Sequence, residues 1–165
     1  MTNQGPASAD LGSPRVAIVY GAPTEAEAMT PAGAILTRFG VAYEQREISP
    51  YRAPRALQEW ISALEARGIE VVLAGGGVNA SIAGFVAAHT PLPVVGVPLP
   101  GGSVGGLEAL LAMTQMPAGV PVAVVGLGHA TNAAVLAVQI LAVGDPELRS
   151  RLVAFKEEFE RAAGS

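Results

Sequence analysis

The sequence predicts an α/β domain built on a five-stranded parallel sheet with helices on both faces. Three observations predict it. Five short apolar runs, rich in valine, alternate with stretches whose apolar residues recur at helical spacing. Two of the runs, VVLA at 71–74 and VAVV at 122–125, are apolar at every position, as strands covered on both sides are. Glycine or proline punctuates most of the junctions, and hydrophobic residues make up 50% of the chain.

The elements follow in order. Residues 1–14 are small and polar, lack the apolar stretch of a signal peptide and read as a disordered tail, leaving 15–165 as one domain. Residues 15–20 (RVAIVY) form the first strand, and after GAPTE a helix runs to Phe39, stopped by Gly40. Residues 41–48 are a second strand with partial alternation, and 49–54 (SPYRAP) a loop stiffened by two prolines. Over 55–67, Leu57, Trp60, Ile61 and Leu64 mark the inner face of a helix that ends at Gly68. A third strand at 69–74 runs into Gly75, Gly76 and Gly77, and a small-residue helix spans 79–89. The fourth strand is 93–97, followed by the loop PLPGGSVGG, a helix over 106–116 and a turn at 117–119. The fifth strand is 120–127, the loop 128–132 follows, and helices occupy 133–143 and 146–161. Asp145 caps the last helix and Pro146 opens it. An apolar stripe on that helix is placed to reach a neighbouring subunit.

Composition excludes several functions. The net charge is −4 and the 10 basic residues are scattered, which argues against a nucleic-acid surface. There is no cysteine, so disulfides, thiol nucleophiles and cysteine-bound metals are absent. No uninterrupted apolar run is long enough to span a membrane, and a cytoplasmic location is the default. Charged residues make up only 15% of the chain, which suggests an apolar surface shared between copies.

In open α/β sheets ligands bind beyond the carboxyl ends of the strands. That rule selects the loops at 21–25, 49–55, 75–81 and 98–106, with the loop near His129 as a fifth. The triple glycine allows close backbone approach to an anion, or only tight strand-to-helix packing. Arg52, between two prolines, suits a phosphate or carboxylate clamp, or else a surface ion pair. Glu25 can accept hydrogen bonds from ribose hydroxyls, though capping the first helix is its simpler use. His89 ends a helix and reads as a stabiliser of that end, whereas His129 follows a strand on the correct edge of the sheet. Two histidines in separate elements do not make a metal site, and neither Ser81 nor Ser103 has a nucleophile-elbow motif.

Taken together, these segments resemble the family of N5-carboxyaminoimidazole ribonucleotide mutase and aminoimidazole ribonucleotide carboxylase. The likeness runs from residue 15 to about 156 and is strongest in VVLAGGG, TPLPVVGVP (90–98), QMPAGVPV (115–122) and NAAVLAVQIL (132–141). It implies a three-layer, flavodoxin-like sandwich, a homo-octamer with sites at subunit junctions, and chemistry without metal, biotin or nucleotide cofactor. Three loops depart from the family's forms. Its Gly-Ser-x-Ser-Asp loop for ribose and phosphate is here Gly21-Ala22-Pro23-Thr24-Glu25. Its Ser-Ala-His-Arg-Thr-Pro is here Ser49-Pro50-Tyr51-Arg52-Ala53-Pro54, keeping the phosphate-binding arginine as Arg52 and replacing the proton-shuttling histidine with Tyr51. Its Ala-Ala-His-Leu-Pro-Gly is here Asn79-Ala80-Ser81-Ile82-Ala83-Gly84, with Ser81 at a second histidine. The loop before Asn132 is about two residues shorter than usual, and His129 lies near a usual lysine.

A histidine exchanges protons near neutrality, whereas a phenol titrates about three units higher, equivalent to roughly 4 kcal/mol. The expected function is therefore a divergent carboxyl migration, decarboxylation or related proton-coupled rearrangement, in secondary metabolism, on a small anionic substrate, a heteroaromatic one included. The alternatives are the family's own mutase reaction and a non-catalytic binding or assembly subunit. Tyr51 and His129 are the expected catalytic groups. Gly21, Thr24, Glu25, Ser49, Arg52, Gly75, Gly76, Gly77, Asn79 and Ser81 are the expected substrate contacts.

Overall fold

The computed structural model describes residues 11–77 and 80–163. Residues 1–10 of the expected tail and Asn79 lie outside them, and residues 11–14 carry no helix or strand. The strands are β1 (Val16–Tyr20), β2 (Tyr43–Glu47), β3 (Val71–Gly76), β4 (Val94–Pro98) and β5 (Ala123–Val124). The helices are α1 (Ala26–Arg38), α2 (Pro54–Ser62), α3 (Ser81–His89), α4 (Leu107–Thr114), α5 (Ala130–Leu141) and α6 (Pro146–Ala163). All strand pairs are parallel, in the order β2-β1-β3-β4-β5. This is the expected flavodoxin-like sandwich, and its chain reverses direction across the sheet between β1 and β3.

Alternation along the inner strands feeds two cores. Val16, Ile18, Tyr20, Val71, Leu73, Val95 and Val97 face α1, α5 and α6. Ala17, Val19, Val72, Ala74 and Val94 face α2, α3 and α4. A continuous apolar strand is what two covered faces require. In α5, Ala130, Ala133, Ala134 and Ala137 are fully buried, so small side chains let that helix lie close against its neighbours.

Several element boundaries differ from the sequence reading. The fifth strand shrinks from 120–127 to two residues, because Pro121 has no N–H for a ladder and only β4 borders it. Its VAVV segment is also not buried on both sides: Ala123 is exposed and its neighbours are half-buried, as befits an edge. The helix expected over 55–67 ends at Ser62, and the chain tightens into a 3₁₀ turn at Glu65–Arg67 before Gly68 turns left-handed at φ 85°. The helix expected from 133 begins at Ala130.

The last helix packs on its own chain. Asp145 Oδ1 accepts from the Leu148 N–H at 3.0 Å, the expected cap, while Asp145 Oδ2 pairs with Arg15 at 2.9 Å. Arg151 donates to the Phe39 carbonyl at 2.7 Å, and Phe155 meets Phe39 edge-on with centroids 5.1 Å apart. Val153 and Phe159 of the same helix remain exposed. Among the described residues no helix is long and apolar enough to cross a membrane.

Candidate functional site

The reversal between β1 and β3 brings the loops after β1, β3 and β4 to one end of the sheet. Glu25 ties two of them together. Its residue is buried in a 3₁₀ turn at Pro23–Glu25, so its carboxylate cannot be satisfied by bulk water. Oε2 accepts from the Gly21 and Ala22 N–H groups at 2.9 and 3.0 Å, and Oε1 accepts from the Gly77 N–H at 2.9 Å. Three charge-assisted hydrogen bonds thus fix the β1 loop against the β3 loop. Glu25 is more than a helix cap, and the Gly77 N–H is already spent on it.

Two cavities open on either side of Gly77. The smaller, about 210 Å³, is lined by Ala22, Thr24, Glu25, Ala28, Gly77, Leu99, Pro100 and Gly101. The larger, about 630 Å³, takes Tyr51, Ala80, Ser81, Gly84, Ser103, Glu108 and Met116 among its walls. Volumes of this order suit a small organic ligand. Gly75 and Gly76 belong to β3 and line neither cavity. A Cβ on Gly75 would lie 2.5 Å from Met29 Sδ, so that glycine serves packing between sheet and α1.

The loop after β2 carries Ser49, Tyr51 and Arg52. Ser49 is buried, and its Oγ accepts from the Arg52 N–H at 3.2 Å while its carbonyl accepts from the Ala53 N–H at 3.0 Å, which closes the turn. Arg52 is exposed, and its Nη2 reaches the Gly21 carbonyl at 3.4 Å, so the guanidinium stands over the β1 loop. The Tyr51 ring is 65% exposed at the mouth of the larger cavity. Ser81 Oγ, in the first turn of α3, lies at hydrogen-bond distance, 2.7 Å, from the Tyr51 hydroxyl. Tyr51 and Ser81, 30 positions apart in sequence, are therefore in direct contact.

His129 precedes α5, with its ring against Gly126, and lines neither cavity. His89 Nδ1 lies 2.7 Å from the Phe85 carbonyl and its ring stacks on Phe85, which is a helix-end role. Among the described residues no group of three His, Asp or Glu side chains could hold a metal.

Glu108 is a cavity residue that sequence reasoning missed. Its Oε1 accepts from the Ser103 and Val104 N–H groups at 3.0 and 3.5 Å, and its Oε2 is buried without a partner among the described residues. Its own backbone N–H, followed by those of Val104 and Ser103, holds the carboxyl below the ordinary glutamate range, although desolvation opposes this. The available signal was an acidic residue in the first turn of a helix directly after a glycine-rich loop. Gly84, Ala109, Ala112 and Met116 were also missed, because nothing in an apolar helix face says which residues border a cavity.

The family model described as AIR carboxylase matches residues 15–162. The N5-carboxyaminoimidazole ribonucleotide mutase of Mycobacterium tuberculosis (strain CDC 1551 / Oshkosh) is 46% identical over 144 residues, covering 87% of this chain and 83% of that protein. The protein of the same name from Pyrococcus abyssi is 42% identical over 151 residues, 92% of this chain and 87% of the relative. A crystal structure of Treponema denticola PurE superposes with a TM-score of 0.84 at 22% identity, covering 91% of this chain and 94% of that one, a likeness of fold.

Proposed function

The chain belongs to the AIR carboxylase family, and we propose that it catalyses the reaction its curated relatives are named for, carboxyl migration on N5-carboxyaminoimidazole ribonucleotide. The identity of 46% over 144 residues with a mutase carries this reading. It favours the purine-pathway alternative of the sequence analysis over a divergent activity elsewhere. The paired cavities are compatible with such a substrate. The heterocycle enters the larger one against Tyr51 and Ser81, the ribose passes Gly77, and Thr24 meets its hydroxyls in the smaller one. Arg52, standing over the β1 loop, meets the phosphate as a bidentate donor.

The chemistry asks little beyond positioning and one proton. The carbamate C–N bond breaks, a C–C bond forms at the ring carbon, the nitrogen gains a proton and the carbon loses one. A single hydroxyl can carry that proton both ways, and Tyr51 is the group placed to do so. His129 has no part in this reading.

Turnover decides it. Purified protein given N5-carboxyaminoimidazole ribonucleotide is expected to form the 4-carboxy isomer, and Arg52→Ala is expected to raise KM about 10- to 100-fold, the worth of one charge-assisted phosphate contact. Absence of product with the wild type would overturn the reading. The replacement of both family histidines by Tyr51 and Ser81 favours a second reading, carboxyl transfer or loss on another small anion. Binding of the mutase substrate without conversion would point there.

We also infer a homo-oligomer, octameric by family resemblance. Val104, Leu107 and Leu111 are exposed on the loop and helix beside the larger cavity, which is apolar surface that a second copy would cover.

A further inference from the structure

The hydrogen bond between Ser81 and Tyr51 can run in either direction. Each hydroxyl has one hydrogen, so if Ser81 donates to the phenol oxygen, the phenol hydrogen is free for another acceptor. The two side chains are not held equally. Ser81 stands in the first turn of α3, between the buried Ala80 and Ile82, on a rigid element. Tyr51 projects from a loop with its ring largely in solvent. An exposed tyrosine on a loop would sample several orientations, and a hydrogen bond of 2.7 Å to a helix-mounted serine selects one of them. Among the described residues Ser81 is the one partner of the Tyr51 hydroxyl within hydrogen-bond distance.

We propose that Ser81 is a positioning residue which, by donating to Tyr51, directs the phenol's own hydrogen into the larger cavity. Resting on the mutase reading above, the step balances as follows. As the carbamate C–N bond breaks, its electron pair goes to the nitrogen, which takes the Tyr51 proton. The released carbon dioxide bonds to the ring carbon, and that carbon's proton returns to the Tyr51 oxygen. Between the two transfers the phenolate charge is held by the Ser81 hydrogen. No proton is consumed and no other reactant is needed. Ser81, expected from sequence to contact substrate, then acts through Tyr51 and touches no reacting atom.

Four proteins test this: Ser81→Ala, Ser81→Thr, Tyr51→Phe and the double variant Ser81→Ala/Tyr51→Phe. With N5-carboxyaminoimidazole ribonucleotide, Ser81→Ala is expected to lower kcat about tenfold with KM nearly unchanged, and Ser81→Thr to restore most of it. In the Tyr51→Phe background the serine change is expected to add nothing, because its effect passes through the missing hydroxyl. An effect on KM alone, or one that persists in that background, would overturn the proposal. A second readout needs no turnover. The Raman doublet of tyrosine reports whether a phenol oxygen accepts or donates, and the spectrum of wild type minus Tyr51→Phe isolates Tyr51. Acceptor character that disappears in Ser81→Ala is expected; donor character, or no change, would overturn the proposal. If the wild type gives no product while the Raman signature is present, the mutase reading fails and the positioning of Tyr51 by Ser81 stands.

Discussion

At the scale of single residues, Glu25 best separates sequence from structure. Its carboxylate accepts three backbone N–H groups from two loops that lie 52 residues apart in sequence. Glu25→Gln keeps one acceptor oxygen and puts an amine where the other was, so at least one buried N–H then faces a donor. The expected loss is about 2–3 kcal/mol of stability, read from the midpoint of urea unfolding at constant slope. Sequence placed Glu25 in the site but could not choose between a ribose contact and a cap, because its third partner, Gly77, is set by tertiary structure. Arg52 drew notice from its place between prolines after a strand, and Tyr51 only through the family resemblance. The Ser81–Tyr51 contact was not, since nothing local relates residues 30 positions apart.

At the scale of elements, the loop 101–106 depends on Glu108. Its folded carboxyl titrates below the ordinary value because backbone N–H groups bind the ionised form. A depressed acid contributes its stabilisation fully above the unfolded value, near ~4.3, and loses it as pH falls through the folded one. Acidification is therefore expected to release the loop only as pH falls below the ordinary glutamate range. The amide proton shifts of Ser103 and Val104 would move upfield together there, and Glu108→Gln would hold them there at neutral pH. Most elements were legible from periodicity and glycine stops. The clearest exception, β5, is decided by which neighbour is present to bond with, and it has a strand on one side only.

At the scale of the whole molecule, the low charged fraction goes with several large apolar side chains left exposed. Val104, Leu107 and Leu111 are exposed, Leu107 and Leu111 one helical turn apart on the same face. Light scattering is expected to give an octameric mass for the wild type and a smaller species for Leu111→Lys; a wild-type monomer at micromolar concentration would contradict it. The two glycines at the end of β3 also face different selection. A methyl group at Gly75 would meet Met29 Sδ at 2.5 Å, so that side chain would have to repack, at a cost of about 1–3 kcal/mol. At Gly77 it would find its nearest neighbour, the Leu99 carbonyl oxygen, at 3.4 Å. A lineage could therefore acquire alanine there in a well-folded protein, and only the partition between its two cavities, and hence the length of ligand they admit together, would have changed.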